Sequence, residues 1–70
     1  MNLKEAQAGQ VYTVRQIATE DQELTAFLFS LGCYSGEPIT VVRHLHGGLI
    51  VAIKDGRYCI DNRLAAAILI

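Results

Sequence analysis

Leu24, Phe27, Leu28 and Leu31 recur at i, i+3, i+4 and i+7, and Gly32 follows the last of them. That spacing sets four apolar side chains on one helical face. The glycine supplies the left-handed residue on which helices most readily stop. Ser35-Gly36 then turns the chain, and Ile39 and Val41 open a period-two strand after Pro38. A proline does least harm at such a strand start, because its missing N–H is not yet needed. A short helix predicted over about Asp21 to Leu31 therefore leads through a glycine corner into a strand. Neither element can bury its apolar face alone, so the rest of the chain must form a small β structure that the helix plugs.

The flanking sequence supplies that structure. Met1 to Gln10 is a lead-in docked by Leu3 and Ala6, with a turn at Ala8-Gly9-Gln10. Val11 to Ile17 carries β-branched and aromatic residues and predicts the first strand. Val14 and Ile17 can both face inward only with a bulge near Arg15-Gln16. Thr19 to Gln22 has capping-box spacing, with Asp21 as the competing N-cap. After the corner, Ile39, Val41 and Arg43 share one face, and Thr40, Val42 and His44 the other. Leu45-His46-Gly47-Gly48 reads as a hairpin connection. Leu49, Val51 and Ile53 alternate with Ile50, Ala52 and Lys54, and Asp55-Gly56 is a strong hairpin signal. Tyr58 and Ile60 face inward, with Arg57 and Cys59 outside. Asp61 caps a helical turn, Asn62 to Ala66, whose alanines allow close packing. Ile68 to Ile70 returns as the last strand. The expected fold is mainly β. It is a small SH3-like barrel of about five antiparallel strands, with one inserted α-helix and a short helical turn before the last strand. Residues 1–70 form a single domain.

Size and charge narrow the function. A chain this short buries only about 60% of its unfolded surface, and 51% of its residues are hydrophobic. That excess over one small core predicts apolar side chains facing a partner or a second copy. The formal net charge is -1 and the six Lys and Arg are scattered, which disfavours nucleic acid, since counterion release needs clustered cations. No apolar run approaches the ~20 residues of a membrane span. The polar stretch Asn2 to Gln10 lacks the apolar core of a signal peptide, so a cytoplasmic setting is expected, with Cys33 and Cys59 reduced and packed as small hydrophobes.

No enzyme is expected. There is no G-x-S-x-G, H-E-x-x-H or P-loop pattern, and the only histidines are His44 and His46. No cofactor is expected beyond a weakly held divalent transition metal. Its candidate ligands are His44 and His46, on one side of a persisting strand, with Cys33 or Cys59 approaching in space. Against that site, histidines beside a hairpin are most often solvated. Protein binding is the remaining class, with Phe29, Tyr34, Leu45 and Ile50 as the apolar candidates. Ile50 could instead serve a homo-oligomer.

The order of elements resembles a known family. A strand precedes a helix ending Leu-x-x-Leu-Gly, at Leu28, Leu31 and Gly32. A corner at Gly36 follows, then a β-branched strand through Ile39 and an apolar strand through Val51. The chain ends in Ala-x-x-Ile-x-Ile, at Ala65, Ile68 and Ile70. This is similar to FeoA, the small cytosolic protein of bacterial ferrous iron uptake, whose fold also forms the C-terminal domain of DtxR-type metal-dependent repressors. Ala26-Phe27 stands where FeoA chains commonly carry an Arg, and Ser35-Gly36 stands where they commonly carry Pro-Gly. The resemblance implies an accessory that binds the cytosolic part of a FeoB-type membrane transporter. A metal-sensing module, or an interaction domain unrelated to iron, are its rivals.

Overall fold

The computed structural model describes all of residues 1–70. A 3-10 turn, Leu3–Glu5, precedes β1 (Val11–Thr13), β2 (Gln16–Ile17), α1 (Gln22–Ser30), β3 (Pro38–Leu45), β4 (Gly48–Ile53), β5 (Gly56–Asp61), α2 (Asn62–Ala67) and β6 (Ile68–Leu69). The fold is mainly β. Its hydrogen bonds make a four-stranded sheet in the order β1-β3-β4-β5 and a two-stranded sheet of β2 and β6, every pair antiparallel. The two sheets are joined covalently at both ends. β2 continues from the edge strand β1, and β6 follows the edge strand β5 through α2. Pairing β2 with β6 thus ties the two edges of the larger sheet together.

Strand β1 does not run through to Ile17 with a bulge, as alternation suggested. The chain leaves one sheet at Thr13 and enters the other at Gln16. Val14, at the crossing, is buried and bonds to the corner instead: its N–H donates to Glu37 O at 2.9 Å and its carbonyl accepts from Gly36 N at 2.8 Å. Both inward side chains are accommodated by the change of sheet, which makes six strand segments from the expected five.

Helix α1 starts at Asp21, not at the Thr19 box. The Asp21 carboxylate accepts from the amides of Glu23 and Leu24 at 3.0 and 3.2 Å, satisfying two of the helix's otherwise orphaned donors. It ends in two paired bonds, Gly32 N–H to Phe29 O and Cys33 N–H to Leu28 O, both 2.9 Å, with Gly32 at φ +88°. This is a Schellman closure, usually accompanied by an apolar contact between the residues flanking it. Here those residues, Leu28 and Cys33, are both core residues, each 1% exposed. Leu24 is buried and Leu31 packs half-buried against the core. Phe27 departs from the expected stripe: it is 49% exposed. Within the nine-residue helix only Leu24 and Leu28 are buried, and Phe27, at the edge of the stripe, stays outside the core.

Strand β3 also departs from strict alternation. Val41 pairs with Val51 and Arg43 with Ile50, so Val42 is the extra residue of a bulge. Beyond it the faces exchange, and His44 rather than Arg43 stands opposite the buried Leu49. The last hairpin turns one residue early, on Lys54-Asp55, with Lys54 at φ +52° and Gly56 already paired to Ile53. Gly56 is needed for space, because a Cβ there would overlap the Tyr58 phenol. On β4, the alternation of Leu49, Val51 and Ile53 inward holds as expected. Asp61 caps α2 by accepting from Leu64 N at 2.8 Å. Ala65 and Ala67 are buried there, and α2 lies close against the 3-10 turn, β4 and β5.

Two substitutions separate the buried from the exposed part of the α1 stripe. Leu28→Ala should lower unfolding free energy by about 2–5 kcal/mol, and Phe27→Ser by no more than about 0.5 kcal/mol, both measured by urea titration. Gly48→Ala should cost about 1–3 kcal/mol, since its Cβ would overlap the Ile60 carbonyl and lie 3.1 Å from Asp61 Cα.

Candidate functional site

The closure at Gly32 decides which side chains around it face water. Cys33 turns inward, so the neighbours on either side of the closure, Phe29 and Tyr34, meet outside. Their ring centroids lie 5.0 Å apart at 35°, within the range of favourable aromatic pairs. Phe29 is nonetheless 64% exposed. The β4–β5 turn brings Lys54 to the same place. Its Nζ sits 5.4 Å from the centre of the Tyr34 ring, a cation–π distance, and donates to Glu37 Oε1 at 2.5 Å. Ile53, Gly56 and Tyr58 also line the shallow groove of about 570 Å³ that results.

The charges in the groove are coupled. The hydrogen bond from Lys54 holds the Glu37 carboxyl below the usual carboxylate range, with Tyr34 acting in the same direction. The bond to Glu37 in turn raises Lys54 above its ordinary value, again assisted by Tyr34. The signs define a window. A depressed carboxyl stabilises the fold above its unfolded pKa, and that contribution is lost as pH falls through the folded value. A raised ammonium stabilises below its unfolded pKa and loses its effect as pH rises through the folded value. Between those limits the pair fixes Lys54 over Tyr34.

Of the four expected partner-binding residues, Phe29 and Tyr34 are brought together. Leu45 is elsewhere: it borders a second depression of about 300 Å³ with Phe27, Cys59 and Leu64. Ile50 is half-buried on β4, between Arg43 and Cys59 in the ladder. Lys54, Glu37, Tyr58 and Phe27 were not anticipated as site residues. Tyr58 had a signal, since its inward alternation on β5 aims it at the helix end. Nothing local pairs Lys54 with Glu37, which are 17 residues apart.

The metal candidates do not assemble, and no group of three or more His, Cys, Asp or Glu side chains is placed to hold an ion. His44 donates from Nε2 to the Ala6 carbonyl at 2.7 Å, which pins the lead-in to β3. His46 is exposed in the β3–β4 turn. Cys33 is buried, and burial pushes its thiol up to about 11, so the thiolate that metals bind is disfavoured. Both cysteines are free, but only Cys33 is packed as expected; Cys59 is exposed on β5.

The FeoA domain family matches residues 1–70, the full length of the sequence. The chain belongs to the FeoA family. That family is associated with ferrous iron transport and is a non-enzymatic accessory domain. Among solved structures, the zinc-complexed FeoA of Stenotrophomonas maltophilia, an SH3 domain protein, is 19% identical. The match covers 99% of this chain and 87% of that one at TM-score 0.87. An iron uptake regulatory protein (FeoA) is 26% identical over 94% of this chain and 86% of that one, at TM-score 0.82. A manganese-dependent transcriptional repressor is 24% identical over 97% of this chain but only 39% of its own, at TM-score 0.86. The FeoA fold of this chain is therefore SH3-like, and it corresponds to one part of that repressor. No curated protein matches the chain. No helix of this FeoA chain is long and apolar enough to cross a membrane.

The coupling in the groove is open to direct measurement. In a carboxyl-detected NMR titration, Glu37 should titrate below the ordinary carboxylate range, and Lys54→Met should return it to that range. A Glu37 midpoint unmoved by Lys54→Met would show that the pair does not hold in solution.

Proposed function

We propose that the chain is a cytoplasmic accessory of ferrous iron uptake that acts by binding the soluble domain of a FeoB-type membrane transporter. Membership of the FeoA family supports the setting. A structural relative, the Stenotrophomonas maltophilia FeoA, has itself been suggested as a bacterial ferrous iron transport activating factor. The single observation that carries the binding mode is the exposed Phe29, packed at a tilt against Tyr34 beside Lys54. An aromatic side chain held in one orientation loses little entropy on docking, and such residues dominate interface energetics. Phe29 and Tyr34 are the anchors of the contact, and the Lys54–Glu37 pair forms its polar rim. Leu45, grouped with Phe27, offers a smaller second patch.

Titration calorimetry with the cognate FeoB cytosolic domain tests this. Phe29→Ala should weaken binding at least about thirtyfold, the mark of an interface hot spot, with an unchanged melting temperature. Leu45→Ala should weaken it less. An affinity indifferent to Phe29→Ala, or no binding across nucleotide and iron conditions, would contradict the proposal.

A further inference from the structure

The free edge of the four-stranded sheet carries a second interaction. β5 is an edge strand, and the identity of its unpaired groups follows from the hairpin. A two-residue turn makes Ile53 and Gly56 a bonded pair, and alternation along an antiparallel ladder then points the backbone groups of Gly56, Tyr58 and Ile60 towards β4. The next bond in the series, Asn62 N–H to Gly47 O at 3.0 Å, keeps that phase. The N–H groups of Arg57, Cys59 and Asp61 therefore face outward from the edge, with the carbonyls of Arg57 and Cys59. No proline blocks the strand, and it keeps six residues in register. Such an edge is a template for another strand.

We propose that a second copy of this chain pairs with it, β5 against β5, antiparallel about a two-fold axis at Cys59. Three features of the sequence select this partner and this register. First, the groups that face outward from the edge become bonded pairs only when odd-numbered residues oppose each other, and centring on Cys59 does this. Second, that register sets Arg57 opposite Asp61 of the other copy at both ends, whereas a shift of two in one direction would set Arg57 opposite Cys59 and a shift of four would set it opposite itself. Both side chains are exposed and share a face with Cys59. Asp61 uses one carboxylate oxygen to cap α2, which leaves the other for an arginine. Third, the half-buried Ile50 is the ladder partner of Cys59. Pairing therefore lays Ile50, Cys59 and their two equivalents in one apolar row. Cross-strand pairs of these kinds are the units that stabilise a sheet. The two sheets become one continuous sheet across an isologous interface. A single pair of short strands buries less surface than a permanent dimer requires, so the association is weak and concentration-dependent.

Sedimentation velocity on the reduced full-length chain, from micromolar to millimolar, tests this. The mass should rise from monomer towards dimer. Arg57→Glu should move the midpoint to about tenfold higher concentration or beyond, as should Asp61→Lys, and an equimolar mixture of the two variants should dimerise again because each new charge then faces its opposite. Because Asp61 also caps α2, a second readout leaves it intact. A mild chemical oxidant should join two copies through Cys59, with Cys59→Ser abolishing the cross-link and Arg57→Glu slowing it several-fold. A monomer at every concentration, or a dimer and a cross-linking rate both indifferent to Arg57→Glu, would overturn the proposal.

Discussion

Two backbone hydrogen bonds at the end of α1 set the plan of this small protein. The amides of Gly32 and Cys33 return to the carbonyls of Phe29 and Leu28, and the chain can make that reversal cheaply only because Gly32 carries no Cβ at φ +88°. The reversal sorts side chains by position. Leu28 and Cys33 go to the interior; Phe29 and Tyr34 go to the surface and pack against each other. The same closure thus places a knob in the core and an aromatic pair outside it. Fold and candidate site are consequences of one local geometry.

The rest of the chain holds that corner against the sheet. Val14 and Ser35 bond across it, Val14 to the Gly36 and Glu37 backbone and Ser35 to the Arg15 carbonyl. The short β2–β6 ladder joins the two ends of the larger sheet, and Met1 bonds to Ile70 on its other side. α2 approaches β4 and β5 closely because its inward residues are alanines. In a chain of this length each of these ties is a sizeable share of marginal stability. That makes positions such as Gly48, where β4 and β5 touch backbone to backbone, intolerant of even one added carbon.

Much of this could be read from the sequence where a side-chain pattern and a turn residue agree. Gly32, Gly36, the inward residues of β4 and the Asp61 cap fall in that class. The failures are places where a non-local contact overrode a local rule. The period-two pattern through Val11–Ile17 breaks because the chain changes sheets at Val14. The Asp55-Gly56 signal is displaced because Gly56 is already paired with Ile53 across the β4–β5 ladder. Val42 bulges and exchanges the faces of Arg43 and His44, which no count along β3 alone would register. Phe27 fits the helical stripe yet stays exposed, since only Leu24 and Leu28 of α1 reach the core. The site was half legible for the same reason. Phe29 and Tyr34 stand out as aromatic residues near a helix end, but Lys54 and Glu37 reach them only through the fold.

The family assignment and the groove meet at the corner that closes α1. Hydrogen exchange at the Cys33 amide tests it most directly, because that N–H is satisfied only if the Schellman closure forms. Its protection should be comparable to that of the central amides of β4, released only on global unfolding. Exchange of Cys33 at the rate of an open loop, in a chain otherwise folded, would contradict it.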